Sequence, residues 1–234
     1  MHPLSPSLDH VGFFARRVDD VALALSLLAA SSDNDIHGRP VPAFHVDLDR
    51  GIEPLSQPRL GVVRFEKWSR VEPAQQQVFE AAIGKLRAAG AVVEELELAD
   101  LVARYPDRTS DHLKSLVATG KAISAPDYLA AKALQQEQRL ALGGEMKGFD
   151  ALLTLPAFGE APRGLTYTGD AEYCAPWTFV GAPAVTLPAG FGPNGLPLGI
   201  QLVGDYRHDL HVLRTAKWVE DVLGFDPGVP KLAQ

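Results

Sequence analysis

The run AVTLPAGFGPNGLPLGIQLVG, residues 184–204, decides how the C-terminal part of this chain folds. It holds two β-rich runs, AVTLPAGF and LPLGIQLVG, on either side of the tetrapeptide GPNG. The pair Asn194-Gly195 is a strong turn signal between two strands. We therefore predict a β-hairpin here, with both strands apolar enough to lie inside a sheet.

The same residues contain a formal G-x-G-x-x-G motif, formed by Gly190, Gly192 and Gly195. A dinucleotide-binding loop needs these glycines to end a strand and to open a helix that faces the pyrophosphate. Pro193 interrupts the loop, and the residues that follow are strand-like. The pattern favours the hairpin, and a nucleotide-binding enzyme remains the alternative.

Three segments upstream of the hairpin predict a β-α-β unit. Residues 59–65 and 91–98 are β-rich, and between them a helix opens at Pro73 and ends before Gly90. Proline at the first turn and glycine past the last one are typical helix boundaries. Such a unit favours parallel strands with a right-handed crossover.

The other predicted elements alternate in the same way along the chain. They are a deeply buried helix at 18–30, a loop at 31–58, helices near 108–121 and 127–146, a buried strand at 149–156, an irregular helix at 168–181 and an amphipathic helix at 208–224. We predict α/β architecture with a mixed sheet and helices on both faces, in a single domain spanning 1–234.

Composition excludes several classes of function. The chain is 46% hydrophobic and 22% charged, as in ordinary globular proteins, and its net charge of −7 argues against nucleic-acid or anionic-membrane partners. No apolar run approaches the length of a membrane span, and no signal peptide is visible. The cytoplasm is the expected location.

The candidate metal ligands and nucleophiles in this sequence are weak. His208 and His211 could face one side of a helix, but no third ligand accompanies them, and we expect them to lie at the helix start. Cys174 is the only cysteine, which excludes an intrachain disulfide, and we expect it to be a small buried residue. No serine lies in a glycine-rich turn, so we predict no nucleophile, no metal and no cofactor.

Two segments resemble the amidase signature family. The opening SLDHVGFFARRVDD, which includes Asp9 and Gly12, is similar to the family's S-x-D-x-x-G-x-x-A-R-x-V-x-D. The matching positions of the C-terminal region are Thr154 and Pro156, Gly181 and Pro183, Pro188 and Gly190, and Gly195, Pro197, Gly199, Gln201 and Gly204. The resemblance spans nearly the whole chain, with only helical character in common at about 100–148.

The resemblance implies the family's α/β/α fold and hydrolysis of amide bonds by a Ser–cis-Ser–Lys triad. In that family the triad precedes the S-x-D-x-x-G motif, which lies at the start of this sequence. No Gly/Ser-rich run occurs here, and Lys114, Lys121 and Lys147 lie outside any matching context. We therefore expect a partial amidase-like domain that corresponds to the C-terminal portion and is inactive alone.

The resemblance also implies a role in substrate binding for the loop after Thr154 and for the segment 173–181. Trp177 and Thr178 are the weak candidates there, with core packing and a helix-end hydrogen bond as their alternatives. The expected ligand is a small-molecule amide, provided that a complementing half is present. A non-catalytic α/β module that binds a partner chain, or forms a homo-oligomer, is the alternative function.

Overall fold

A computed structural model describes residues 8–29, 45–96, 123–164 and 166–228. The predicted helix near 108–121 lies outside these residues. The helices are α1 (Val18–Leu28), α2 (Pro73–Ala88), α3 (Ala125–Glu145), α4 (Ala175–Val180) and α5 (Asp209–Leu223), with a short 3₁₀ helix at Glu66–Arg70. The strands are β1 (Arg59–Val62), β2 (Val92–Glu95), β3 (Ala151–Thr154), β4 (Ala184–Phe191) and β5 (Pro197–Val203).

The five strands form one mixed sheet in the order β2-β1-β3-β5-β4. Strand β1 runs parallel to β2 and β3, whereas β5 runs antiparallel to β3 and β4. The predicted parallel β-α-β unit and the predicted hairpin are therefore both confirmed. Strand β5, not a helix, follows the glycine motif, so these glycines do not form a dinucleotide-binding loop.

Helices cover both faces of this sheet, as predicted. Alternate residues of a strand point to opposite faces. On β5 the Gln201 side chain faces Cys174 at the start of α4, and Gly204, just past the strand, lies against Val212 of α5. Helix α2 packs against β4, β5 and α5, and its Phe79 and Ile83 side chains are buried. None of the described helices is long and apolar enough to cross a bilayer.

Helix α2 shows how the sequence sets its own boundaries. Pro73 occupies the first turn, and Gly90 just past the helix adopts a φ of +99°. Helix α3 begins at Ala125, two residues before the expected start at 127, because the Ser124 hydroxyl accepts a hydrogen bond from the Asp127 N–H. A side-chain cap of this kind satisfies an otherwise unpaired backbone donor.

Two predicted helices differ from the observed ones. Helix α1 buries only Val18 and Ala22, while Leu27 and Leu28 are exposed, so the expectation of deep burial is wrong over its last turn. The irregular helix expected at 168–181 contains helix only at Ala175–Val180. Gly169 at a φ of +98° interrupts the segment before it. Glycine adopts a positive φ without steric cost. Residues of a regular right-handed helix have a negative φ, so the helix cannot run through Gly169.

Candidate functional site

A stripe of three polar side chains crosses the sheet on the face that carries α4. Gln201 of β5 is paired with Thr154 of β3 on one side and with Thr186 of β4 on the other. Directly paired residues share a face of the sheet. Thr154 and Gln201 are buried, whereas Thr186 is exposed, so the stripe opens towards β4.

The Cys174 thiol lies above this stripe. Its sulfur is 3.9 Å from Gln201 Nε2 and 3.5 Å from the Pro156 carbonyl oxygen. The residue as a whole is exposed, so the expectation that Cys174 is buried is wrong. The hairpin and the Pro156 backbone pack around the sulfur but leave the rest of the residue open.

Desolvation raises the pKa of the Cys174 thiol, although the hydrogen bond from Gln201 acts in the opposite direction. A thiol nucleophile needs a lowered pKa or an adjacent base. The two groups that contact this sulfur are a carboxamide and a carbonyl, neither of which accepts the proton as a base. Among the described residues, neither condition for an activated thiol is met at this sulfur.

Of the two weak substrate-binding candidates on α4, the structure buries Trp177 and exposes Thr178. Trp177 is 1% exposed, and its ring centroid lies 5.7 Å from that of Phe65. Thr178 is exposed, and its backbone N–H donates to the Cys174 carbonyl. Only Thr178 can therefore reach a molecule bound at the surface, while Trp177 can support α4 from behind.

Four polar atoms near this face are buried and have no hydrogen-bond partner among the described residues. They are Thr154 Oγ1, Gln201 Oε1, Tyr173 OH and Trp177 Nε1. Burial raises the pKa of Tyr173 to about 12, so its hydroxyl stays protonated and can donate a hydrogen bond. In the sequence, Thr154 and Gln201 stand out as polar residues inside apolar strands. That pattern does not show that the two residues are paired across the sheet.

The loop 156–164, which follows β3, forms one side of the site. The Phe158 ring meets Tyr173 edge-on at a centroid distance of 4.9 Å. The Arg70 guanidinium lies over the Phe158 ring, 4.5 Å from its centroid. The Phe158 carbonyl accepts a 2.7 Å hydrogen bond from the N–H of Glu72, just before α2.

Ion pairs tie the segment before α4 to the 3₁₀ helix. Glu172 accepts hydrogen bonds from Lys67 at 2.8 Å and from Arg70 at 3.0 Å, and Arg70 also reaches Asp170 at 3.3 Å. Desolvation acts to raise the pKa of Glu172, but the hydrogen bonds from the two cations are stronger together and lower it. This carboxylate is therefore charged at neutral pH and anchors the segment.

The two histidines of the HDLH run lie apart from the polar stripe, at the start of α5, as predicted. His208 immediately precedes the helix, and His211 Nε2 lies 3.0 Å from Asp150 Oδ1. The other oxygen of Asp150 accepts the Arg59 N–H at 2.7 Å. Among the described residues no group of three or more His, Cys, Asp or Glu could hold a metal ion.

Comparison with known proteins gives consistent matches. A family model described as Amidase matches residues 1–108. The chain is 28% identical to 2-amino-5-chloromuconic acid deaminase of Comamonas testosteroni over 95% of this chain and 53% of that protein. It is 27% identical to an amidase of Pseudomonas putida over 82% of this chain and 49% of that protein. It is 30% identical to one of the subunits of glutamyl-tRNA(Gln) amidotransferase from Rubrobacter xylanophilus over 93% of this chain and 56% of that protein.

Solved structures agree on the fold. A crystal structure of an amidase superposes with a TM-score of 0.70 at 24% identity, over 94% of this chain and 54% of that one. Fatty acid amide hydrolase superposes with a TM-score of 0.71 at 16% identity, over 92% of this chain and 48% of that one. The chain spans about half the length of the curated relatives that it matches.

Proposed function

We propose that this chain, whose resemblance to the amidase signature family is confirmed by its relatives and its fold, forms the C-terminal portion of a protein that hydrolyses amide C–N bonds. One observation carries the proposal. The relatives, which include a protein named amidase, match 82–95% of this chain but only about half of their own length. The relatives are thus about twice as long as the segment that they share with this chain, and we propose that amide hydrolysis also needs residues outside that segment.

The chemistry divides between this chain and a complementing segment. Amide hydrolysis requires a nucleophile, a base and donors that stabilise the developing oxyanion. The family resemblance assigns these roles to a Ser–cis-Ser–Lys triad and to the backbone beside it. No Gly/Ser-rich run of that kind occurs in the 234 residues. We propose that the complementing segment supplies it.

In this proposal the present chain supplies one wall of the substrate pocket. Thr178 and Thr186 are exposed on the same side of the sheet as the buried residues Thr154 and Gln201. Hydroxyl groups at the edge of a pocket orient a polar substrate by hydrogen bonds. Thr178 is the substrate-contacting candidate, and Trp177 is the packing residue that fixes its helix.

The experiment measures amide turnover by the purified chain, alone and mixed with the N-terminal half of a relative. We expect no turnover of a simple aryl amide by the chain alone. In the active mixture we expect Thr178→Ala to raise KM more than it lowers kcat. Turnover by the chain alone that is abolished by replacing one of its own serines would contradict the division proposed.

A non-catalytic module that binds a complementing chain is the second candidate, and the exposure of the opening motif favours it. Phe14 is 106% exposed and Val11 is 68% exposed, and both belong to the opening segment that resembles the family's S-x-D-x-x-G motif. Large apolar side chains left in water tend to bind a partner or a second copy.

Size-exclusion chromatography with light scattering tests this second candidate. A stable complex or homo-oligomer that dissociates on Phe14→Ser replacement would support it, whereas a stable monomer of the unaltered chain would contradict it. We propose the cytoplasm as its location, with no nucleic-acid, membrane or cofactor requirement. The net charge of −7 supports the nucleic-acid part of this proposal.

A further inference from the structure

The Glu160 carboxylate is bound in the turn of the β4–β5 hairpin. Glu160 Oε1 accepts the backbone N–H of Asn194 at 3.1 Å and that of Leu196 at 2.9 Å. Glu160 Oε2 accepts the Asn194 side-chain amide at 2.6 Å. Successive backbone N–H groups in a turn form a concave anion-binding site. Here that site holds a carboxylate of the same chain.

The glycine motif gives this turn its shape. The Gly192 N–H donates to the Leu196 carbonyl at 2.9 Å, and the Gly195 N–H donates to the Gly192 carbonyl at 3.0 Å. These bonds leave the N–H groups of Asn194 and Leu196 free for Glu160. A Cβ at Gly192 would lie 2.4 Å from Glu160 Cδ, so a larger residue there would displace the carboxylate.

A second contact holds the same loop from the α2 side. The Glu160 N–H donates to Glu72 Oε2 at 3.4 Å, and Gly159 approaches the Glu72 carboxyl group so closely that a Cβ would lie 2.0 Å from its carbon. Among the described residues, Glu72 faces the backbone of this part of the loop, and the Arg70 guanidinium lies over its Phe158 ring. Residues 158–160 are thus held between the start of α2 and the tip of the hairpin.

We propose that Glu160 is a positioning residue, whose carboxylate anchors the loop 156–164 to the hairpin and thereby holds Phe158 against Tyr173 at the candidate site. The anchor itself depends only on the contacts described. Its importance for a substrate pocket rests on the proposed function.

The anchor depends on pH in a defined direction. Desolvation acts to raise the pKa of Glu160, but the hydrogen bonds from the N–H groups of Leu196 and Asn194 and from the Asn194 side chain lower it below its ordinary 4.5. A group whose folded pKa is lowered stabilises its contact above the unfolded pKa and loses that effect as the pH falls through the folded one. The anchor is therefore intact at neutral pH and released in acid.

Glu160→Gln tests the anchor because it keeps the size of the side chain and removes its charge. Glu94→Gln is the matched control, since Glu94 is a half-exposed carboxylate on β2 that is paired with Arg59. Trypsin cleavage after exposed Arg163 reports opening of the loop, with cleavage after Lys147 as the internal reference. We expect cleavage at Arg163 to be about fivefold faster in Glu160→Gln and unchanged in Glu94→Gln.

A second measurement uses the unaltered chain and no activity assay. The ¹⁵N–¹H resonances of Asn194 and Leu196 should shift together as the pH falls below 4.5, with one common midpoint, and this titration should be absent in Glu160→Gln. Gly192→Ala, which displaces the carboxylate without removing it, should also abolish it. Equal cleavage in the two Gln variants, or amide shifts that persist in Glu160→Gln, would overturn the proposal and leave the proposed amide hydrolysis untouched.

Discussion

Gln201 of β5 and Cys174 at the start of α4 are linked by a 3.9 Å contact between the carboxamide nitrogen and the sulfur. This contact connects the hairpin to the helix that covers it. The carboxamide oxygen of the same Gln201 is buried and unpaired among the described residues. The Gln201 nitrogen thus contacts the Cys174 sulfur, while the Gln201 oxygen is available to accept a hydrogen bond.

Replacement of Gln201 separates its packing from its polarity. Gln201→Met keeps the volume and removes an unpaired buried oxygen, so we expect the free energy of unfolding to change by less than about 1 kcal/mol. Gln201→Ala removes the volume as well and should cost about 2 kcal/mol or more. Urea unfolding of both variants measures the difference, and equal destabilisation would contradict a packing role.

Alkylation of Cys174 tests the raised pKa of its thiol. The ordinary pKa is 9.0, and desolvation raises it in the folded chain, so the reactive thiolate is scarcer at pH 8 than in the unfolded chain. We expect iodoacetamide to react more slowly with native than with urea-unfolded protein at pH 8. In Gln201→Met the native rate should fall further, since the hydrogen bond that lowers the pKa is lost. A faster native reaction would show an activated thiol instead.

Alanine substitutions at two adjacent positions of α4, Trp177 and Thr178, should have very different effects on stability. Trp177 is 1% exposed, so Trp177→Ala should destabilise the fold by about 3–5 kcal/mol. Thr178 is exposed, so Thr178→Ala should change stability by less than about 0.5 kcal/mol. Trp177→Phe, which preserves most of the packing, serves if the alanine variant does not fold. Comparable losses at both positions in chemical denaturation would contradict the observed orientation of α4.

Two glycines should respond to alanine in opposite directions. A Cβ at Gly199 would lie 3.0 Å from the Leu187 backbone oxygen, so Gly199→Ala must distort the hairpin and should cost about 1–3 kcal/mol. A Cβ at Gly84, inside α2, would meet nothing within 4 Å. Gly84→Ala should therefore stabilise the chain by about 0.5–1 kcal/mol. Thermal melting of the two variants decides the matter, and a loss of stability in Gly84→Ala would be inconsistent with the observed space.

Removing the charge of Glu172 should make the free energy of unfolding depend less on pH in the acid range. The lowered pKa of Glu172 means that its ion pairs with Lys67 and Arg70 stabilise the fold above pH 4.5 and weaken below it. Solvent screening limits the effect of Glu172→Gln at pH 7 to about 0.5–1 kcal/mol. The difference in melting temperature between the variant and the unaltered chain should shrink as the pH falls below 4.5, and a constant difference from pH 7 to pH 3 would be contrary to this.

Local sequence signals predicted the elements whose causes are local. Asn194-Gly195 predicted the hairpin, and Pro73 with Gly90 predicted the limits of α2, because turn and cap geometry depend on a few adjacent residues. The family resemblance supplied the family fold, while the region of the site that it implies stays a prediction.

Features that depend on distant contacts could not be predicted in this way. The alignment of Thr154 with Gln201 follows from strand register, and the binding of Glu160 by Asn194 joins residues 34 positions apart. The exposure of Cys174 depends on how α4 lies on the sheet. Each of these relations needs the tertiary arrangement, which neither periodicity nor composition encodes.

The position of β3 in the sheet also has a consequence for the order of folding. Strands β4 and β5 are joined by a short turn, and isolated hairpins form in about 1–10 μs. Strand β3 instead meets β1 across a long stretch of chain, since Asp150 bonds to Arg59 at a separation of 91 residues. Closing so long a loop is the slower event. We expect Gln201 and Thr186 to be paired early. Strand β3, which carries Thr154, should pair with β1 only when the late crossover closes.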